Sequence, residues 1–270
     1  MNKSTTPIIA IRGAGDLATG IAMRLYRAGL RRIVMLETAY PLAVRRTVAF
    51  SEAIYHSRMQ VEGVTAQFAE NMTEAAEIWK KDSIAILVDP CLLKLNEIKP
   101  EILIDAIIAK KNLGTEINMA PLVIGLGPGF TAGTDVHKVI ETKRGHHLSR
   151  VISEGCAEPN TGIPGNIGGY ALERVYWAEH GGVFNTSFDI GDKISKGETV
   201  GDVDGTPVVA AISGVFRGLL RNGTPVRKRT KLGDIDPRAT VAYCSEISDK
   251  ALSIGGGVLE AVSAYIFSKD

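Results

Sequence analysis

The sequence is poor in aromatic residues, cysteine and net charge, and it has no long hydrophobic run. Aromatic residues make up 6% of the 270 residues, and the cysteines number only 3. An odd number of distant cysteines argues against a disulfide-stabilised secreted scaffold and favours a reducing compartment. Lys plus Arg exceed Asp plus Glu by one, 31 against 30, so no overall field directs the chain to nucleic acid or a membrane. No apolar run approaches the roughly 20 residues of a membrane span, and MNKSTTP lacks a signal sequence. We expect a soluble, cytoplasmic protein.

Several motifs of known chemistry are absent as well. There is no HExxH, CxxC or ordered zinc spacing, no GxSxG turn and no Walker A sequence. We therefore predict no metal site and identify no catalytic dyad or triad. Whether the protein is an enzyme stays open.

Glycine, in contrast, is abundant at 29 residues, and the first part of the chain alternates short apolar runs with helical patterns. This alternation predicts an α/β domain over residues 1–180, with a Rossmann-like, doubly wound parallel sheet. The predicted strands are 8–12, 33–37, 64–68, 84–89, 102–106 and 122–125, and the predicted helices are 16–28, 73–81 and 167–178.

From about residue 181 to 243 the pattern changes to short strands separated by glycine turns, which predicts a small all-β module. The run DIGDKISKGETVGDVDGTPVVAAISGVFRGLL resembles the barrel-sandwich hybrid of biotinyl and lipoyl carriers. A carrier needs a lysine at the hairpin tip, where this chain has Asp204-Gly205-Thr206, so the covalent chemistry is not expected. Residues 244–270 are predicted to form a C-terminal helix that packs on the first domain.

The first glycine loop, IRGAGDLATG, joins a predicted strand to a predicted helix. Gly13 permits the tight turn, Gly15 lets the backbone approach a phosphate, and Asp16 begins the helix. Glu37 ends the next strand, where a carboxylate binds a ribose hydroxyl in dinucleotide-binding proteins. The loop predicts a nucleotide-like ligand. The alternative is a turn used for packing alone.

An arginine pair, Arg45 and Arg46, follows Glu37 within a few residues. Arginine matches phosphate oxygens with two parallel hydrogen bonds. We therefore include both as candidate contacts to a phosphorylated ligand other than NAD. A solvated helix face is the alternative.

A second glycine-rich stretch, GLGPGFTAGTDVH, contains Gly127 and Gly129 after an apolar run and continues to Asp135 and His137. Loops that follow parallel strands meet at one edge of a sheet, so this loop is predicted to face the first one. The segment NTGIPG, with Thr161, is a third candidate anion cradle. Ordinary glycine turns are the alternative for each.

Positive charge is concentrated in two places, at residues 143–150 and at 217–238. In the second stretch seven basic residues stand against two aspartates, which suggests an anionic ligand or an acidic partner. A solubilising surface explains the same pattern.

Longer motifs spread over nearly the whole chain resemble a known family. They are GAGDLATGIAMRLYRAG, ETAYPLAVRRTVAFSEAIY, GLGPGFTAGTDVHKVIET, RGHHLSRVISEG, NTGIPG, KLGDIDPR and SDKALSIGGGVLEA. Together they look like the maturation proteins of selenium-dependent molybdenum hydroxylases, relatives of the xanthine dehydrogenase accessory proteins. The resemblance implies a Rossmann-like domain and a maturation factor that prepares or inserts the molybdenum cofactor (molybdopterin).

Three functions follow from these observations. The first is a cytoplasmic maturation factor that binds the molybdenum cofactor, or another small anionic ligand, and docks on a molybdenum hydroxylase apoenzyme. The second is an NAD(P)-dependent oxidoreductase using Glu37, with His137 as its proton donor. The third is a non-catalytic partner-binding protein. A homo-oligomer fits all three.

Overall fold

A computed structural model describes residues 6–268 of the chain. Its contacts divide the chain into two compact units. Unit 1 comprises the described residues up to Pro41, Ala49–Asn160, and those from Ile247 onward. Unit 2 comprises Leu42–Val48 and Thr161–Glu246.

Unit 1 is built on a nine-stranded sheet of order β10-β9-β7-β6-β1-β2-β5-β4-β3. Neighbours from β4 to β9 in this order are parallel, and the edge strands β3 and β10 are antiparallel. The central strands are apolar throughout and buried on both faces, as parallel strands usually are. The strands of unit 1 are β1 Ile9–Arg12, β2 Ile33–Glu37, β3 Arg58–Val61, β4 Val64–Phe68, β5 Ile84–Val88, β6 Ile102–Asp105, β7 Leu122–Leu126, β8 Thr131–Ala132, β9 Lys138–Ile140, β10 Val151–Ile152 and β11 Gly155–Cys156.

The helices of unit 1 are few. They are α1 Asp16–Arg27, α2 Ala53–His56, α3 Met72–Lys80, α4 Leu95–Ile98 and α5 Asp249–Phe267. Within residues 6–268, α5 is the one helix long and apolar enough to span a membrane by length and composition. It packs along α1, with Ile254, Val258 and Val262 buried.

The predicted Rossmann-like, doubly wound sheet is corrected by these observations. The large sheet is mixed, and three smaller antiparallel sheets accompany it. The connections from β6 to β7 and from β7 to β9 contain no α-helix, only loops, a short 3-10 turn at Ile117–Met119 and strand β8. Glycine, proline and polar turn residues fill these connections, so they lack the apolar periodicity that a covering helix needs.

Unit 2 consists of two four-stranded antiparallel sheets, of order β12-β19-β17-β14 and β16-β15-β13-β18. Apolar side chains from both sheets form its core, with Phe184, Phe216 and Leu232 fully buried. The expected barrel-sandwich hybrid is thus corrected to two separate four-stranded antiparallel sheets. The strands are β12 Val175–Trp177, β13 Gly182–Asn185, β14 Lys193–Ile194, β15 Thr199–Val203, β16 Thr206–Val209, β17 Gly214–Leu219, β18 Thr224–Val226 and β19 Lys231–Asp236.

The helix predicted over 167–178 is wrong. The segment forms turns followed by β12, which pairs with β19. Arg174 at the start of this strand is buried and reaches Asp234, at 3.4 Å. This long-range pairing outweighs the local helical pattern.

Candidate functional site

The parallel strands of unit 1 end at a common edge of the sheet, and the loop after β1 lies there. Gly13 has a φ of +97°, and its amide donates to the Leu36 carbonyl at 2.7 Å. A Cβ at this position would lie 3.1 Å from the Ile107 side chain. Gly13 is therefore explained by the turn and by its close packing.

Gly15 differs from Gly13, because the fold does not require a glycine there. Its backbone is extended, with φ −68° and ψ −175°, a conformation open to any residue. A Cβ built on Gly15 has no heavy atom of residues 6–268 within 4 Å. The absence of a side chain thus leaves open space at the N-terminus of α1.

That helix end has no side-chain cap. The first amides of an α-helix have no partner within the helix, and its dipole favours an anion at this end. The loop thus offers backbone donors beside open space, which is the arrangement used for phosphate binding. Asp16, in the first turn, adds a negative charge beside them.

Glu37 at the end of β2 holds this loop in place. Its carboxylate accepts hydrogen bonds from the amide of Ala14 and the amide of Thr38, each at 2.8 Å. A carboxylate has acceptor sites for further donors, so these bonds leave room for a ribose hydroxyl.

Arg12, which sequence reasoning missed, is the last residue of β1 and directly precedes the Gly13–Gly15 loop. Its side chain is buried and donates to Asp105 at 3.1 Å, to Thr115 at 3.0 Å and to the carbonyls of Pro90 and Leu113 at 3.0 and 3.1 Å. The Thr115 hydroxyl also donates to Asp105, at 2.6 Å. The network joins the loops that follow β1, β5 and β6. The sequence signal for this network was a single arginine at the end of an otherwise apolar strand.

Helix α5 brings a second N-terminus to the same edge. Gly20 lies against Ala251, and the Arg24 Nε donates to the Leu252 carbonyl at 3.2 Å. Farther along both helices, Gly255 lies against Arg24 and the Gly20 carbonyl. The two helices therefore run parallel.

Lys250, in the first turn of α5, is a further basic group that sequence reasoning missed. Burial lowers the pKa of its amine, and the charges of Arg144 and Lys110 lower it further, while Asp16 and Glu141 oppose them. Within residues 6–268 its amine makes no hydrogen bond or ion pair at contact distance. A half-buried cation in this position favours an anionic ligand.

The second glycine loop is explained by packing. A Cβ at Gly127 would collide with the Thr142 hydroxyl, and one at Gly129 would lie 2.5 Å from the backbone of Lys111. Asp135 accepts from the Thr131 amide at 2.8 Å and closes a turn.

His137 lies just before β9 begins, at the N-terminal ends of the parallel strands. The Gly15 loop lies at their C-terminal ends. Its Nδ1 accepts from the Val123 amide at 3.0 Å, and burial, followed by the charge of Lys138, lowers the pKa of the ring. The structure does not bring it to the Gly15 loop, so it is not the proton donor considered above.

The arginine pair belongs to unit 2. Arg45 is buried and donates to the carbonyls of Tyr243 and Glu246, both at 2.9 Å. Arg46 donates to the Leu219 carbonyl at 2.9 Å and to Asp189 at 2.6 Å. Both side chains tie segment 42–48 into this unit.

Thr161, from the third predicted cradle, also lies in unit 2. It is exposed, and its hydroxyl accepts from the Ile163 amide at 3.3 Å.

Several residues of the two basic stretches pair with acidic side chains. In unit 1, Lys143 and His147 contact Glu158, and Arg144 binds Asp249 with hydrogen bonds of 2.7 and 2.8 Å. In unit 2 the buried carboxylates of Asp234 and Asp236 pair with Arg174, Arg217, Lys231 and Arg238. Charges counted along the sequence therefore overstate the positive surface.

No cluster of three or more His, Cys, Asp or Glu placed to hold a metal occurs in the described part of the chain. The three cysteines are all free thiols, and Cys156 lies 3.3 Å from the Thr131 hydroxyl.

No protein-family model matches the chain. The chain is 48% identical over 255 residues to the uncharacterized protein YqeB of Escherichia coli strain K12. The match covers 94% of this chain and 47% of YqeB, so the chain spans about half the length of the curated relative it matches.

Solved structures give only weak likenesses. The ectoine utilization protein EutE (DoeB) of Ruegeria pomeroyi is 9% identical, with a TM-score of 0.23 over 84% of this chain and 56% of that protein. A succinylglutamate desuccinylase from a Silicibacter species is 11% identical, with a TM-score of 0.26 over 85% of this chain and 84% of that protein. A succinylglutamate desuccinylase/aspartoacylase from Rhodobacter sphaeroides is 14% identical, with a TM-score of 0.26 over 85% of this chain and 85% of that protein. At these TM-scores the likenesses assign no activity to this chain.

These comparisons overturn the family expected from the motifs. The curated relative is uncharacterized, the similar structures carry the names given above, and none of them is a molybdenum hydroxylase maturation protein. The assignment to that family is wrong, and the maturation function that depended on it falls with it. The quoted motifs are mainly glycine turns and helix starts, whose physical causes are shared by unrelated proteins.

Proposed function

We propose that unit 1 binds a nucleotide by its phosphate groups at the loop of residues 13–17, with NAD(H) as the first ligand to test. The observation that supports this most directly is Gly15, a glycine without a structural reason beside an uncapped helix N-terminus. A phosphate in that space accepts from the first amides of α1.

The charged groups around the loop divide the site into a part that attracts an anion and a part that is acidic. Lys250 and the N-terminal ends of α1 and α5 attract an anion, whereas Asp16 and Glu37 are acidic. A carboxylate at the end of β2 accepts a ribose 2′-hydroxyl and repels a 2′-phosphate. We therefore expect NAD(H) to bind more tightly than NADP(H). A cytoplasmic location, where free thiols such as these persist, belongs to the same proposal.

The experiment compares Gly15→Ala with Gly256→Ala, a substitution in α5 that also meets no atom within 4 Å. NADH fluorescence titrations measure binding, and urea unfolding measures stability. We expect Gly15→Ala to weaken binding at least tenfold while costing at most about 1 kcal/mol of stability, since alanine is a poorer N-cap than glycine. Gly256→Ala leaves the affinity unchanged.

Lys250 is tested separately with Lys250→Gln, and Lys81→Gln on the exposed end of α3 serves as its control. Loss of a half-buried phosphate contact weakens binding by roughly tenfold, in line with the ~1.5–3 kcal/mol of a charge-assisted hydrogen bond. The proposal is contradicted if the unmodified chain binds no NADH, NAD or AMP, or if Gly15→Ala binds as well as the unmodified chain.

A further inference from the structure

Unit 2 contains a cavity of about 550 Å³ that has no part in the proposed nucleotide site. It lies between two edge strands, β12 of one sheet and β16 of the other. Cavities of this volume hold small organic molecules in many proteins.

Apolar side chains gather around this cavity although they are exposed. Leu172 is 57% exposed, Trp177 43% and Val209 49%, and all three line it. Large apolar side chains scattered over a surface need no explanation, but a contiguous group marks a binding surface. The indole of Trp177 adds a flat face suited to a ring or a cation.

The ionised groups in the cavity wall are carboxylates. Glu173 and Glu179 line it, and no Lys or Arg is found among the described residues that line it. His180 also lines the cavity, and its ring hydrogen-bonds with the Gly181 carbonyl through Nδ1 at 2.9 Å and with the Thr206 hydroxyl through Nε2 at 3.0 Å. Two carboxylates stand against this single imidazole, so the wall carries a net negative charge.

A basic turn adjoins this wall without entering it. The Arg229 amide donates to the Ala178 carbonyl at 2.7 Å, but the side chains of residues 227–229 do not line the cavity.

The buried floor adds a polar group. Tyr176 lines the cavity, and its hydroxyl has no hydrogen-bond acceptor among the described residues.

The edge strand β16 disfavours an added peptide strand. Pro207 lies opposite Asp202 in a two-residue hairpin, so its nitrogen faces away from β15 and has no N–H to donate to an added strand. A molecule that inserts into the cavity suits this wall better than one that extends the sheet.

We propose that the cavity binds a small organic cation with an apolar body, of the class of aryl-alkyl amines. The ammonium group pairs with a carboxylate at one end of β12, Glu173 or Glu179. The apolar body lies on Trp177 between Leu172 and Val209.

The test uses 4-phenylbutylamine and its anionic counterpart 4-phenylbutyrate, which share the same apolar body. The chain has two tryptophans, so Trp79→Phe leaves Trp177 as the only indole and its emission as the reporter. We expect the amine to bind with a Kd on the order of 1 mM, typical for a ligand of this size, and at least tenfold more tightly than the butyrate. Ligand-detected NMR with the unmodified chain checks the same ratio without the Trp79 change.

The variant Glu173→Gln/Glu179→Gln is expected to bring the two ligands to within about twofold of each other, whereas the exposed control Glu154→Gln leaves the ratio intact. Equal binding of amine and butyrate, or no binding of either, overturns the proposal. So does a concentration-dependent blue shift of Trp177 together with dimers in sedimentation velocity, because a second copy would then occupy this face.

Discussion

Arg12 joins segments that are distant along the chain. Its hydrogen-bond acceptors lie 78 to 103 residues away, and it neutralises Asp105, which is fully buried. Removing one partner of a buried pair leaves an uncompensated charge, at a cost of about 3–5 kcal/mol. We expect Arg12→Ala to lose that much stability in urea unfolding.

The control for this prediction is Arg150→Ala, on the exposed surface, which should change stability by less than about 0.5 kcal/mol. Equal stability of the two variants would show that the Arg12 network contributes nothing net.

Asp234 makes the stability of unit 2 depend on pH in the acidic range. Burial alone raises the pKa of its carboxyl, but Lys231, Arg217 and Arg174 outweigh this and lower the pKa to about 2. A depressed folded-state pKa contributes stability that is present above the unfolded-state value near 4, and that is lost as pH falls toward 2. We expect on the order of 2 kcal/mol to disappear over that range.

The measurement follows Trp177 emission, in the Trp79→Phe background, during urea unfolding at several pH values. In Asp234→Asn the stability at neutral pH is lower and its fall below about pH 4 is shallower. An unchanged acid dependence in this variant, matching Glu154→Gln, would rule out Asp234 as the source.

At the same scale, the sequence predicted Gly13, Gly15 and Glu37 as ligand-binding residues at one edge of the sheet, and that role stays a prediction. The structure adds that Glu37 accepts a hydrogen bond from the Ala14 amide of the same loop. The sequence could not predict Arg12 or Lys250, whose importance depends on burial by distant segments. Arg45 illustrates the reverse case, since an arginine that matched a phosphate contact is used for backbone carbonyls of unit 2.

Among the elements, the parallel pair α1 and α5 depends on small residues at its contact. A Cβ on Gly20 would lie 2.7 Å from the Cβ of Ala251. Alanine raises helix propensity, but overpacking costs about 1–3 kcal/mol, so we expect Gly20→Ala to be destabilising and Gly20→Val more so.

Gly256→Ala is the matched control, because it meets no neighbour and should stabilise by about 0.5–1 kcal/mol through propensity alone. Thermal unfolding of the three variants measures the difference. A stabilising Gly20→Ala would show that the helices separate at no cost.

Most helices and strands of unit 1 occur close to their predicted positions. Helix α3, for example, was expected at 73–81 and begins after Asn71, whose side chain accepts from the Glu74 amide at 3.0 Å. The hairpin of β3 and β4 was only half found, although its Glu62-Gly63 turn has both φ values positive, as such turns require. These are local features, so a local pattern reveals them.

At the scale of the whole molecule, unit 2 is discontinuous in sequence. Segment 42–48 places Val44 against Gly218 and accepts a hydrogen bond from the Leu219 amide at 2.8 Å. We expect residues 161–246 alone to unfold at lower urea concentration than the same residues with 42–48 attached through a flexible linker. Circular dichroism measures both, and equal midpoints would show that the segment is dispensable.

The sequence by itself determined the local structure of this protein: the apolar strands, the helix starts and the glycine turns, whose causes lie within a few residues. Only the tertiary structure decided which glycine faces open space, which arginines donate to backbone carbonyls, and that the sheet is mixed. Those outcomes depend on burial and pairing between segments far apart along the chain, 201 residues in the case of Arg45 and Glu246. A local sequence pattern does not show which distant segments come into contact. Gly15 and Gly127 look alike in sequence, and only their surroundings separate a glycine beside open space from a glycine needed for packing.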